Sequence, residues 1–164
     1  MSEQSQPVFA IEKIYVKDLS LEIPGAPQVF FERESPKIDL NLHNEARALE
    51  NGVYEVVLTA TVTAKLQDKT AFLVEAAQGG LFQIRNFGEK DLDGLLGITC
   101  GNILFPYLRE TITSVVTRGG FPPFFLNHLS FEVLYQQHQE QQQRQQQQQA
   151  QQQPQPETGK PAAE

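Results

Sequence analysis

The chain predicts an α+β fold, a four-stranded antiparallel sheet followed by two helices packed on one face, and three features of the sequence point to it. The first half alternates apolar and polar residues, most cleanly over Val53 to Leu66, where Tyr54, Val56, Leu58, Ala60, Val62, Ala64 and Leu66 share one face. In the second half the period changes: Ile103, Leu104, Tyr107, Leu108, Ile112, Val115 and Val116 recur every three or four residues, the stripe of an amphipathic helix. Between the last two strand patterns stand only Gln67, Asp68 and Lys69, a connection short enough to join only antiparallel neighbours.

The 164 residues suffice for one core of ordinary size. Residues 1–7 read as a disordered arm, residues 8–140 as the folded domain and residues 141–164 as a glutamine-rich, disordered tail. Thirteen basic against 20 acidic residues, a net charge of -7, argue against a nucleic-acid partner. The single cysteine, Cys100, rules out an intramolecular disulfide and fits a reducing compartment, taken here as the cytoplasm. Neither a signal sequence nor a run of eighteen apolar residues occurs, so no membrane insertion is expected.

The first strand spans Val8 to Ile23, with Phe9, Ile11, Tyr15, Leu19 and Leu21 on one parity and Glu12, Ile14, Val16, Asp18, Ser20 and Glu22 on the other. Pro24-Gly25-Ala26-Pro27 ends it. Phe30 and Phe31 lie in a connecting loop, after which Ile38, Leu40 and Leu42 alternate with Lys37, Asp39, Asn41 and His43 as a second, half-buried strand. Asn44 to Gly52 is a polar connection whose Asn51-Gly52 pair favours a turn. The fourth strand runs from Thr70 to Ile84, where Gly79-Gly80 marks a bulge or bend.

Asn86 to Asp91 is a polar turn into the central helix, which either begins at Pro106 or runs through it with a kink; the kinked helix is favoured. Gly119-Gly120 stops it. Phe121, Phe124, Phe125 and Leu126 follow among Pro122 and Pro123, a composition that either packs on its own sheet or leaves a partly open surface for apolar segments of other chains. Ser130 caps a second helix whose apolar side is Phe131, Leu134 and Tyr135, and which frays from Gln136 into the glutamine tract.

Catalytic chemistry is hard to find. Cys100 has no histidine near it in sequence, and His43, His128 and His138 lack the spacing of a metal site. The paired glycines match no phosphate-cradling loop. No cofactor and no metal are expected. Asp18 and Glu22 share a parity with Glu12, and if the first and fourth strands are neighbours they share a surface with Glu75; otherwise these are solvated acids of an open sheet face.

Several runs resemble the SecB family of bacterial protein-export chaperones: Tyr15-Val-Lys-Asp-Leu-Ser20, Ala26-Pro-Gln-Val-Phe30, Val53-Tyr-Glu-Val-Val-Leu58, Thr61-Val-Thr-Ala64, Thr70-Ala-Phe-Leu-Val-Glu75, Gln78-Gly-Gly80, Asn102-Ile-Leu-Phe-Pro-Tyr107 and Ser114-Val-Val-Thr-Arg-Gly119. The resemblance implies a homotetramer, a dimer of dimers with the long helices sandwiched between sheets. It implies a holdase that keeps unfolded secretory precursor proteins translocation-competent and passes them to SecA, with no enzymatic step of its own. Asp18, Glu22, Leu73 and Glu75 then belong to the acidic surface that docks the basic C-terminal segment of SecA. Ile38, Leu40, Leu42, Phe121, Phe124, Phe125, Leu126 and Leu134 then line the client grooves. The chain departs from the family in carrying Glu34 where a Trp is common and Gly101 where a Pro is common, which removes one groove wall unless Phe31 replaces it and loosens the start of the central helix. A SecB-like chaperone controlling a toxin-antitoxin pair, and an oligomeric enzyme using Cys100, stand as alternatives.

Overall fold

In the computed structural model, residues 6–151 are described. Four strands, β1 (Val8–Glu22), β2 (Lys37–Ala48), β3 (Val53–Leu66) and β4 (Lys69–Arg85), form one antiparallel sheet in the order β1-β4-β3-β2. A short helix α1 (Glu89–Gly94), a π-helical turn (Leu95–Thr99) and the long helix α2 (Cys100–Arg118) follow without a break. The final helix α3 is Phe131–Gln151. The chain divides into two units, residues 1–131 and residues 132–164.

One sheet face is dry. Val56, Leu58, Ala60, Val62 and Ala64 of β3 and Phe72, Val74, Ala76, Phe82 and Ile84 of β4 are buried beneath α2, whose Leu104, Leu108, Ile112 and Val116 project onto them at four-residue spacing. Tyr107, expected in that stripe, is half exposed instead: its position is one residue off the buried line. The helix runs through Pro106 and stops before Gly120, whose φ of 88° is a left-handed conformation that glycine adopts without strain. Gly101 seats a neighbour rather than loosening the helix. A Cβ there would lie 2.5 Å from the ring of Phe131, which also meets Phe105 edge-on at 5.9 Å between centroids.

Four other expectations are corrected. β2 continues through Asn44, Glu45, Ala46, Arg47 and Ala48, opposite Leu58 to Tyr54 of β3, so the polar connection shrinks to the turn at Asn51 and Gly52. An edge strand needs no apolar alternation of its own once a neighbour offers an unbroken ladder. Gly79 and Gly80 do not bend β4, which pairs continuously past them; they clear space for the rings of Tyr15 on one face and Phe82 on the other. The first helix begins at Glu89, inside the expected turn, with Glu89 and Asp91 in its favourable first turn. In the second unit, the fraying expected from Gln136 is absent as far as Gln151, because glutamine is a competent helix former and Glu140 and Arg144 pair one turn apart at 3.8 Å. Residues 1–5 of the expected arm and residues 152–164 of the expected tail lie outside the described residues.

Candidate functional site

The bulges are in β1. Its pairing with β4 skips one residue between Ile11 and Lys13 and another between Val16 and Asp18, so Glu12 and Lys17 are the extra residues. Each bulge reverses the parity of the residues after it. The outcome is that Phe9, Ile11, Ile14, Val16, Leu19 and Leu21 register with the dry face, whereas Tyr15, Asp18, Ser20 and Glu22 register with the open one. Ile14 and Val16 therefore exchange faces with Tyr15 relative to a simple alternation. Glu12 drops out of the expected acidic set: it is a bulge residue, about 20 Å up the strand from Asp18.

The register brings the other acids together. Ser20 lies opposite Glu75, Glu22 opposite Leu73 and Asp18 opposite Ala77, so Asp18, Glu22, Leu73 and Glu75 share the open face across two adjacent strands. All three acids are exposed, and Thr61 of β3 donates to Glu75 Oε2 at 3.2 Å. This surface is acidic, with the apolar Leu73 and Ala77 set among the carboxylates.

Further along the same face lies a cluster that alternation alone did not single out. Glu55 on β3 is only 8 % exposed, an unusual burial for a carboxylate. It is paired as such a group must be. Tyr15 donates its hydroxyl to Glu55 Oε1, Lys17 Nζ lies 2.8 Å from the same oxygen, and Arg47 of β2 lies 3.3 Å from Oε2. The Lys17 ammonium, and then the Tyr15 hydroxyl, hold the Glu55 carboxyl below the usual carboxylate range. Burial, and then the bond to Glu55, push the Tyr15 phenol up to about 12. The sequence signal was present: Glu55 is the one acid in a strand whose other outward residues are threonine, valine and lysine.

On the opposite face, Ile38, Leu40 and Leu42 pair with Ala64, Val62 and Ala60, and so point to the side that α2 covers. Cover thins toward this edge: the three β3 partners are fully buried, whereas Leu40 and Leu42 are half-buried and Ile38 is exposed. The result is an apolar row only partly closed. In the aromatic loop, Phe121 is wedged between Phe30 and Phe72, at 5.2 and 4.8 Å between ring centroids. Phe72 registers through Ala64 with Ile38, which places the stack on the same face as the apolar row, two strands or about 10 Å across.

The four loop residues have different fates. Leu126 is buried in the core, Phe121 and Phe124 are half-buried, and Phe125 is 59 % exposed. Thr113 of α2 donates to the Phe124 carbonyl at 2.7 Å and pins the loop. Phe125 lies with Arg109 5.9 Å from its ring centroid, at one end of a groove of about 610 Å³ along α2 that also meets Pro106, Glu110 and Thr113. The loop thus packs on its own core through Leu126 and leaves Phe125 exposed. Leu134 sits on α3 in the second unit and is not placed relative to this face. Phe31 is almost fully exposed, and Glu34 lines a smaller cleft with Lys69.

Cys100 is fully buried, and burial pushes its thiol up to about 12, so almost no thiolate exists near neutral pH. The thiolate that a cysteine nucleophile needs is therefore disfavoured at this position. His43 faces Glu45 at 3.7 Å, and His138 bonds Gln142 within α3. Among the described residues no group of three or more His, Cys, Asp or Glu is arranged to hold a metal ion, and no helix is long and apolar enough to cross a membrane.

The sheet thus carries an incompletely covered apolar row on one side and exposed acids on the other. These features fit the class of polypeptide-binding chaperones. The family model for the preprotein translocase subunit SecB matches residues 2–142. Relatives named protein-export protein SecB share 58% identity over 139 residues in Methylobacillus flagellatus, covering 85% of this chain and 88% of the relative. The corresponding values are 60% over 139 residues in Nitrosomonas eutropha, with 84% and 87% covered, and 59% over 141 in Chromobacterium violaceum, with 85% and 94% covered. A SecB-like chaperone of Mycobacterium tuberculosis, solved with a peptide from an antitoxin, has the same fold at a TM-score of 0.63 and 19% identity, over 74% of this chain and 90% of its own. The chain belongs to the SecB family of protein-export chaperones.

Proposed function

We propose that this chain is a cytoplasmic holdase that keeps secretory precursor proteins unfolded and delivers them to SecA, working as a homotetrameric dimer of dimers. The observation that carries the reading is the division of one sheet into two surfaces: Ile38, Leu40 and Leu42 register with one face, and Asp18, Glu22, Leu73 and Glu75 with the other. Unfolded clients expose scattered apolar segments, and several shallow apolar sites in one assembly hold them by effective concentration, without requiring a sequence. Phe124 and Phe125 extend the apolar site. Because such a protein binds the unfolded and not the native client, it displaces the client's folding equilibrium without spending nucleotide. The acidic face steers the basic segment of SecA, and salt weakens that step. The outward side of α2 is the surface a second dimer would cover. Control of a toxin-antitoxin pair gains nothing from the relatives, which at 58% to 60% identity are named export proteins.

The test is the solution mass together with the refolding rate of a slow-folding precursor. A tetramer that delays refolding with no nucleotide added is expected. A monomer with no effect on refolding contradicts the reading.

A further inference from the structure

The orientation of the acidic surface rests on a single extra residue. Were β1 regular after Val16, which lies opposite Gln78, Lys17 would face Ala77, and Asp18, Ser20 and Glu22 would all turn to the helix side, opposite Ala76, Val74 and Phe72. Leu19 and Leu21 would take their place on the open face. The bulge at Lys17 prevents this by putting two successive side chains, Lys17 and Asp18, on the same side.

Glu55 holds Lys17 on that side. Its Oε1 takes the Lys17 ammonium at 2.8 Å, while the hydroxyl of Tyr15, two residues upstream, bonds the same oxygen. Gly79 makes the reach possible: the Tyr15 ring crosses β4 where any Cβ would lie 2.5 Å from it, so β1 is tied over its neighbour to the next strand. Arg47 of β2 engages the second oxygen at 3.3 Å and fixes the carboxylate from the far side. We propose that Glu55 is a positioning residue for the docking surface: by anchoring the Lys17 bulge it sets the parity that presents Asp18 and Glu22 beside Leu73 and Glu75. This deepens the SecA-docking reading and rests on it. The competing source of register is downstream, where Leu21 and Ile23 approach Gly119 on the dry face.

The experiment uses the full-length protein with purified SecA and has a docking arm and a geometric arm. For geometry, Ser20→Cys and Glu75→Cys are combined; these positions are directly opposite, at a Cα separation of about 4.5 to 5.5 Å that permits a disulfide. The buried Cys100 stays out of the reaction. In this pair, adding Glu55→Leu or Lys17→Met is expected to lower cross-linking several-fold. In the docking arm, Glu55→Leu and Lys17→Met in the otherwise native chain weaken SecA binding about tenfold and leave client binding within about twofold, a separation that general loss of structure would not give. Glu55→Gln, which keeps an acceptor for Tyr15 and Lys17, restores most of the docking. Unchanged cross-linking in both variants overturns the proposal and assigns the register to Leu21 and Ile23. Cross-linking that falls while docking holds also overturns it, and if Glu75→Lys spares docking as well, the docking reading itself has failed.

Discussion

The two faces of this sheet are built from the same four strands on different rules. The face under α2 is uniformly apolar, and Leu58, Val62, Val74 and Phe82 have essentially no solvent exposure. The other face is a patchwork of threonines, acids and one buried carboxylate with three partners. Close packing makes the dry face intolerant of volume change, whereas the open face tolerates most substitutions and is sensitive to charge and strand parity. The lesson is that close packing is kept under α2 and exposed charge on the opposite side, so one can be altered without the other.

The largest effect expected is on the dry side. Leu104→Ala, at a fully buried site above Gly80, should cost about 2 to 5 kcal/mol in urea unfolding, with the slope unchanged. Gly79→Ala sharpens the contrast because it adds volume on the open face where the Tyr15 ring lies across the strand; a loss of about 1 to 3 kcal/mol is expected, and a neutral result would mean that the ring moves freely. Glu75→Lys, at an exposed site, should leave stability within about 0.5 kcal/mol while weakening SecA binding about tenfold in calorimetry, the loss shrinking as salt rises. On the apolar side, Phe125→Ser should weaken client binding about two- to fivefold in a refolding-delay assay with the assembly intact; unaltered delay would take the exposed ring out of the client surface.

The smallest effect is a pH dependence confined to the open face. Glu55 titrates lower in the folded chain than in the unfolded one, so its contribution is present above the usual carboxylate range and is lost as pH falls through its depressed value. Tyr15 titrates higher, at about 12, so its contribution is full below the ordinary phenol value and is lost as pH rises toward 12. Glu55→Gln should flatten the acid limb of stability against pH. A limb unchanged in that variant would place the sensitivity in other carboxylates.

Much of this division was legible in the sequence. The alternation over β3 and the helical period after Ile103 found the dry face, because long periodic runs report burial directly. Asp18 and Glu22 were grouped correctly on one face by parity, since no irregularity interrupts β1 from Asp18 onward. What escaped was anything dependent on a single extra residue. A bulge leaves no compositional mark, so Ile14, Tyr15 and Val16 read onto the wrong faces and Glu12 joined a surface it does not reach. The paired glycines were visible but their purpose was not: the rings they make room for come from Tyr15, far away in sequence, and from Phe82, on the same strand. Leu126 shows the same limit within the aromatic loop, where composition could not say which of four neighbours would be buried.

If the two faces act independently, a chain already carrying its client should still dock SecA. Calorimetric titration of SecA into the protein, alone and saturated with an unfolded precursor lacking its own affinity for SecA, measures the coupling between the surfaces directly. Affinities equal within about twofold are predicted, because the proposed client and SecA surfaces lie on opposite sides of the sheet. Competition strong enough to abolish docking in the loaded chaperone would contradict the division into two surfaces.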